Sequence, residues 1–200
     1  MARRNDFMRH LTFSDHHFFH HKIIKEADRP FPFCNNSPCT NNCVAEMNRF
    51  MVQQWNDNVE DDDVVYYLGD FSFGEPSLWR PILKKLRGQK ILIRGNHDPT
   101  PKKCLESGWP AVHSQLVVTT MSGHRVLLRH KPWTSFSSCH ATALGFEVVV
   151  HGHIHNRPSP HGHLNINVCV ERTGYKPVEL NHLVDEHMRV MGYSRRLTDG

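Results

Sequence analysis

The sequence predicts an α/β domain with more than one β-sheet. Short runs rich in Val, Ile, Leu and Tyr recur along the chain, and helical periodicity separates the early ones. The second half carries several strand-like runs in succession, so β/α units give way to a strand-rich region.

The elements follow in order. His10–Ser14 is the first predicted strand. Residues 42–56 form a helix, with Val44, Met47, Met51 and Trp55 recurring at spacings of three and four on one apolar face; this stripe reads as core. Val64–Leu68 is a second strand. Ser77–Leu86 resembles a capped helix with Leu78, Ile82 and Leu86 in register and Gly88 beyond its end. Lys90–Arg94, Leu116–Val118, Val126–Arg129, Val148–Val150 and Leu164–Val170 are further strands. Pro177–Met191 closes the series as a helix with Leu180, Leu183 and Met188 apolar.

Length and composition narrow the function classes. Two hundred residues suit one domain, 1–200. Hydrophobic residues at 38% and charged residues at 22% exclude a disordered chain. There is no apolar run of membrane-spanning length, and residues 1–10 lack a signal-peptide stretch, so a cytoplasmic protein is expected, bacterial or, if phage-encoded, in the host. A formal charge of +4, evenly spread, gives no independent argument for nucleic acid. Six cysteines without a secretion signal read as reduced thiols; Cys34, Cys39 and Cys43 lie close together but lack the paired spacing and fourth ligand of a zinc knuckle. Histidine is the outlier at seventeen residues, and imidazole is the commonest metal ligand.

The strand ends carry the chemistry. Open α/β sheets bind ligands beyond the carboxyl ends of their strands. Here those ends hold Asp15, His17, Asp70, Asn96, His97, His130, His153 and His155. Any one Asp or Asn there can be a turn or capping residue; five successive strand ends with metal-competent side chains form a constellation. Carboxylates, an amide oxygen and imidazoles suit Mn(II), with Fe, Ni or Zn as alternatives, better than Ca(II). Two carboxylates, one amide oxygen and four of the five imidazoles make seven ligands, which exceed the needs of one catalytic ion and satisfy two if a carboxylate is shared, an arrangement suited to hydrolysis at phosphorus or at a carbonyl.

Asp15-His16-His17, Gly69-Asp70, Gly95-Asn96-His97-Asp98, His130 and Gly152-His153-Ile154-His155 stand in the order of the calcineurin-like metallophosphoesterase motifs. With His17-Phe18-Phe19-His20, Arg29-Pro30-Phe31 and the segment YYLGDFSFG, the chain resembles the small bacterial and phage members. The resemblance implies a four-layer α/β/β/α sandwich with two mixed sheets and a dinuclear site at the strand ends. It implies Asp15, His17 and His155 on one metal, Asn96, His130 and His153 on the other, and Asp70 bridging. It further implies that a hydroxide held between the metals attacks phosphorus in line. His97 then assists the leaving oxygen, with Asp98 orienting its imidazole.

His20 and Arg29 are candidate substrate contacts, Arg29 through bidentate pairing with phosphoryl oxygens. His16 and His151 border the ligands, where they either support them or belong to the core. Residues 32–43 look like a loop insertion near the rim. The function expected is a phosphodiesterase acting on a small phosphodiester such as a cyclic nucleotide. A nuclease is the alternative. A non-catalytic scaffold, which should lack the catalytic histidine, is disfavoured because His97 is present. No membrane and no obligate protein partner is expected.

Overall fold

A computed structural model describes residues 8–31, 42–134 and 143–192. Among the described residues, nine strands form two mixed sheets. The first contains β1 (His10–Phe13), β2 (Val64–Tyr67), β3 (Gln89–Ile93), β4 (Ala111–His113) and β9 (Val178–Glu179), in the order β4-β3-β2-β1-β9. All its neighbours are parallel except β1 and β9. The second contains β5 (Gln115–Thr119), β6 (Arg125–Arg129), β7 (Val148–His151) and β8 (Asn165–Asn167), with β5–β6 antiparallel and the rest parallel.

Strand alternation explains how the sheets stack. Successive side chains point to opposite faces, and both faces of β2 are apolar. Val64, Tyr66 and Leu68 turn inward with Ile93, and meet Val126, Leu128, Val148 and Val150 of the second sheet. The intervening Val65 and Tyr67 join Leu11, Phe13 and Leu92 on the outer face. That face is covered by α2 (Asn42–Asn58), whose Met47, Met51 and Trp55 are fully buried. Also there are α1 (Ile23–Glu26) and α3 (Trp79–Leu83). The outer face of the second sheet presents Leu127 and Val149 to Phe146, Leu164 and Trp133. Beyond α4 (Pro101–Glu106), the last helix, α5 (Leu180–Val190), contributes Leu180, Val184 and Met188 to the core between the sheets. The described residues give the expected α/β fold, two mixed sheets packed face to face with helices over the outer face of the first.

Several boundaries differ from expectation for local reasons. The 77–86 helix divides into a 3-10 turn at Pro76–Leu78 and the short α3, with no side-chain cap. The strand at 164–170 ends at Asn167, because Cys169 turns away to bridge Ser14 beside β1. Val178–Glu179 pairs with β1 before the last helix begins, and Glu179 caps that helix through the N–H groups of Asn181 and His182. The strand β4 and the helices α1 and α4 are too short for periodicity to reveal. Within the proposed insertion, residues 32–41, including Cys34 and Cys39, lie outside the described residues. Among the described residues no helix is long and apolar enough to cross a membrane.

Candidate metal centre

The parallel strands β1, β2 and β3 share one direction, so the loops after them meet at one end of the sandwich. Their backbones interlock: the N–H of Asp15 donates to Gly69 O at 3.0 Å, and that of His17 to Asp70 O at 3.2 Å. Asp15, His17, Asp70, His153 and His155 all have φ between 52° and 74°. A left-handed backbone is uncommon for non-glycine residues. Five of the nine such residues among those described are expected ligands, so the strain concentrates at the strand ends.

Two donor groups result. Asp15, His17 and His155 bring one ligand atom each within 4.8 Å of one another, and Asp70, His130 and His153 do the same. Asn96 joins the second group, its Oδ1 lying 3.0 Å from His130 Nε2. Asp70 stands between the groups. Its Oδ2 is 3.7 Å from His17 Nε2 and 3.3 Å from His130 Nε2.

The hydrogen-bond pattern fits cations. His130 Nδ1–H donates to Leu68 O at 2.8 Å, so its Nε2 is left facing the oxygens of Asn96 and Asp70. Such converging lone pairs need a proton or a metal ion between them. Burial opposes a charged His130, but the Asp70 carboxylate outweighs it and pushes the pKa up to about 9. A metal ion held here takes that proton's place. In the first group, Asp15 Oδ1 and both ring nitrogens of His17 are buried without a hydrogen-bond partner. Burial alone would raise Asp15, yet the imidazoles of His17, His130 and His155 hold it far below the usual carboxylate range.

One supporting residue escaped the sequence reading. Glu171 Oε1 accepts from His155 Nδ1 at 3.0 Å, which leaves Nε2 for a ligand. The same oxygen pairs with Arg29 at 2.7–2.9 Å. A carboxylate behind a ligating histidine fixes tautomer and ring orientation. Glu171 follows the last motif and lies in no recognisable pattern of its own, so only the fold reveals it.

Two expectations are corrected. Arg29 does not face substrate: its side chain is fully buried, with Nη1 and Nη2 donating to the backbone oxygens of His16 and Asp15 at 2.7 and 2.6 Å. Every arm of the guanidinium is committed to the scaffold. Asp98 does not orient His97 either. Its carboxylate accepts from the backbone N–H groups of Gly95, Asp70 and Phe71 at 2.8–2.9 Å, pinning the loop after β2 to the loop after β3. His97 itself stands outside both donor groups, nearly half exposed, with Nε2 4.0 Å from Asp70 Oδ2. Its backbone N–H donates to Asp70 Oδ1 at 2.9 Å. His20 lies at the rim, its ring centroid 5.5 Å from that of His17.

His16 and His151 are core histidines. His16 pairs through its backbone N–H and Nδ1 with the Tyr67 hydroxyl, and burial lowers its pKa to about 3. His151 donates to Gly152 O and pairs with Ser159 Oγ; burial lowers it to about 4.

The motif glycines have a steric reason. A Cβ at Gly95 would fall on the Asp70 carboxylate, and one at Gly152 on the Asp15 carboxylate and Ser14 Oγ. Gly152→Ala is expected to displace Asp15 and weaken Mn(II) binding by about 10–100-fold, the range found when groups orienting metal ligands are lost. Isothermal titration calorimetry, beside a thermal melt to verify folding, checks this; unchanged affinity in a folded variant would remove Asp15 from the ligand set.

Two mixed sheets with paired clusters of carboxylate, amide and imidazole donors at their strand ends define a metal-binding hydrolase class. The chain belongs to the calcineurin-like phosphoesterase superfamily, whose domain matches residues 8–169. It is accordingly a metal-dependent phosphoesterase. A relative, the uncharacterized protein MJ1445 of Methanocaldococcus jannaschii, is 34% identical over 180 residues, covering 86% of each chain. The protein of unknown function AQ665 from Aquifex aeolicus has the same fold, with a TM-score of 0.69 at 24% identity over 90% of this chain and 99% of that one. A novel archaeal phosphodiesterase superposes with a TM-score of 0.40 at 18% identity, covering 80% of this chain and 82% of its own. So distant a likeness carries no argument about activity.

Proposed function

We propose that this protein is a dinuclear phosphodiesterase that hydrolyses a small phosphodiester such as a cyclic nucleotide. The observation that carries the reading is Asp70, whose Oδ2 lies within 3.7 Å of an imidazole from each donor group. In this reading Asp15, His17 and His155 hold one ion, Asn96, His130 and His153 the other, and Asp70 both. Two divalent ions, Mn(II) foremost, would supply Lewis acidity to the phosphoryl oxygens and an acidified water near neutral pH.

The chain's own residues supply the rest. Glu171 and Leu68 O keep Nε2 of His155 and His130 turned toward the site. Asp98 holds the two loops in register. His97, half-exposed beside Asp70 and outside both donor groups, holds a proton at Nε2 for the departing oxygen. Cys104 and Cys169 are buried free thiols, which suits a reducing compartment such as the cytoplasm.

Metal removal and return test the reading. Phosphodiester hydrolysis is expected to vanish in EDTA and to return with Mn(II) more fully than with Mg(II), which favours oxygen donors and keeps its waters. Elemental analysis should give two ions per chain, falling in Asp70→Asn. A single ion unaffected by that substitution, or full activity in Mg(II) alone, would contradict the proposal. Screening cyclic nucleotides, phosphomonoesters and single-stranded nucleic acid under one metal separates the small-substrate reading from a nuclease.

A further inference from the structure

Phe73 is the only aromatic side chain among the exposed large hydrophobic residues described, with 55% of its surface open. Its sequence neighbours behave differently: Phe71 and Trp79 are buried in the core. The backbone that carries the exposed ring is nevertheless held on both sides. Its backbone N–H donates to Phe18 O at 2.9 Å, the adjacent Ser72 hydroxyl donates to the same oxygen, and Gly74 O accepts from Trp79 Nε1 at 3.0 Å.

The ring also lies beside the metal centre. One face stacks on His20, with centroids 4.1 Å apart and planes within 12°. His20 contacts His17, and Phe73 lies 5.7 Å from His97. An apolar ring on an anchored backbone, backed by a second ring and left open next to the proposed proton donor, is suited to a flat π-face.

We propose that Phe73, backed by His20, is a specificity-determining platform on which the nucleobase of a phosphoester substrate stacks while its phosphate lies over the metal centre. This rests on the phosphoesterase reading above and adds the feature that selects nucleotides over base-free phosphoesters. Stacking one base on an aromatic side chain is sequence-tolerant. The platform therefore favours nucleotides as a class rather than one base.

The test is calorimetric binding of adenosine 5′-monophosphate and ribose 5-phosphate to Mn(II)-loaded protein, which needs no turnover. Wild type is expected to bind the nucleotide about tenfold or more tighter than the sugar phosphate. Phe73→Ala, a change at an exposed position, should bring the nucleotide to the level of ribose 5-phosphate, and Phe73→Trp should restore the difference. Equal binding of the two ligands by wild type, absence of nucleotide binding, or a nucleotide affinity unaltered in Phe73→Ala overturns the platform. Base-dependent binding without hydrolysis of any phosphodiester would leave the platform standing and refute the hydrolytic reading. Hydrolysis of base-bearing and base-free cyclic phosphates with the same KM would do the reverse.

Discussion

His97→Ala is expected to lower kcat by about 10²–10⁴ while leaving metal content unchanged, the usual contribution of a positioned acid. The geometry separates the two effects. The imidazole of His97 belongs to neither donor group, and the link between the His97 loop and Asp70 runs through the backbone N–H, which alanine keeps. The loss should depend on the leaving group. A p-nitrophenolate departs readily without a proton, so an ester of p-nitrophenol should retain more of its rate in the variant. The alkoxide leaving a nucleotide needs the proton, so that reaction should suffer most. Equal losses on both substrates would mean that His97 acts by position or charge. Loss of metal would move it into the ligand set.

Arg29→Leu is expected to cost roughly 3–5 kcal/mol of stability, because it takes the guanidinium from the buried Glu171 carboxylate and leaves His155 Nδ1 as its remaining hydrogen-bond donor. The damage should reach the metal centre as well. Arg29 holds the carbonyls of Asp15 and His16, and Glu171 orients His155, so one ion pair ties together the loops that carry the first donor group. Mn(II) affinity should therefore fall together with the urea midpoint. Adding Glu171→Gln to Arg29→Leu removes the uncompensated charge and should recover part of the stability but none of the metal affinity. A fully stable Arg29→Leu protein altered only in KM would return Arg29 to a substrate role.

The contrast between these two residues marks the limit of what was legible in the sequence. His97 stands out beside Asn96 because its motif immediately follows a strand, which is a local property, while the role expected of it comes with the resemblance. Arg29, next to Pro30 and near the expected ligand His17, reads in the sequence as a candidate substrate contact. Its partner Glu171 lies 142 residues away, and no spacing rule connects them. Asp98 departs from expectation for the same reason: the resemblance implies that it orients His97, whereas its carboxylate accepts from the backbone N–H groups of Asp70 and Phe71, 28 and 27 residues earlier.

By itself the sequence determined the α/β class, the apolar stripe of the long helix, most of the strands and the set of strand-end donors. These rest on short-range periodicity and on the rule that loops beyond parallel strands converge at one edge of the sheet. Only the tertiary structure decided that Arg29 and Glu171 form a buried pair behind the candidate ligands, and that Phe73 stays open while Phe71 is buried. Such outcomes depend on which groups two sheets bring face to face. A buried charge or polar atom must find its partner there, wherever that partner lies along the chain.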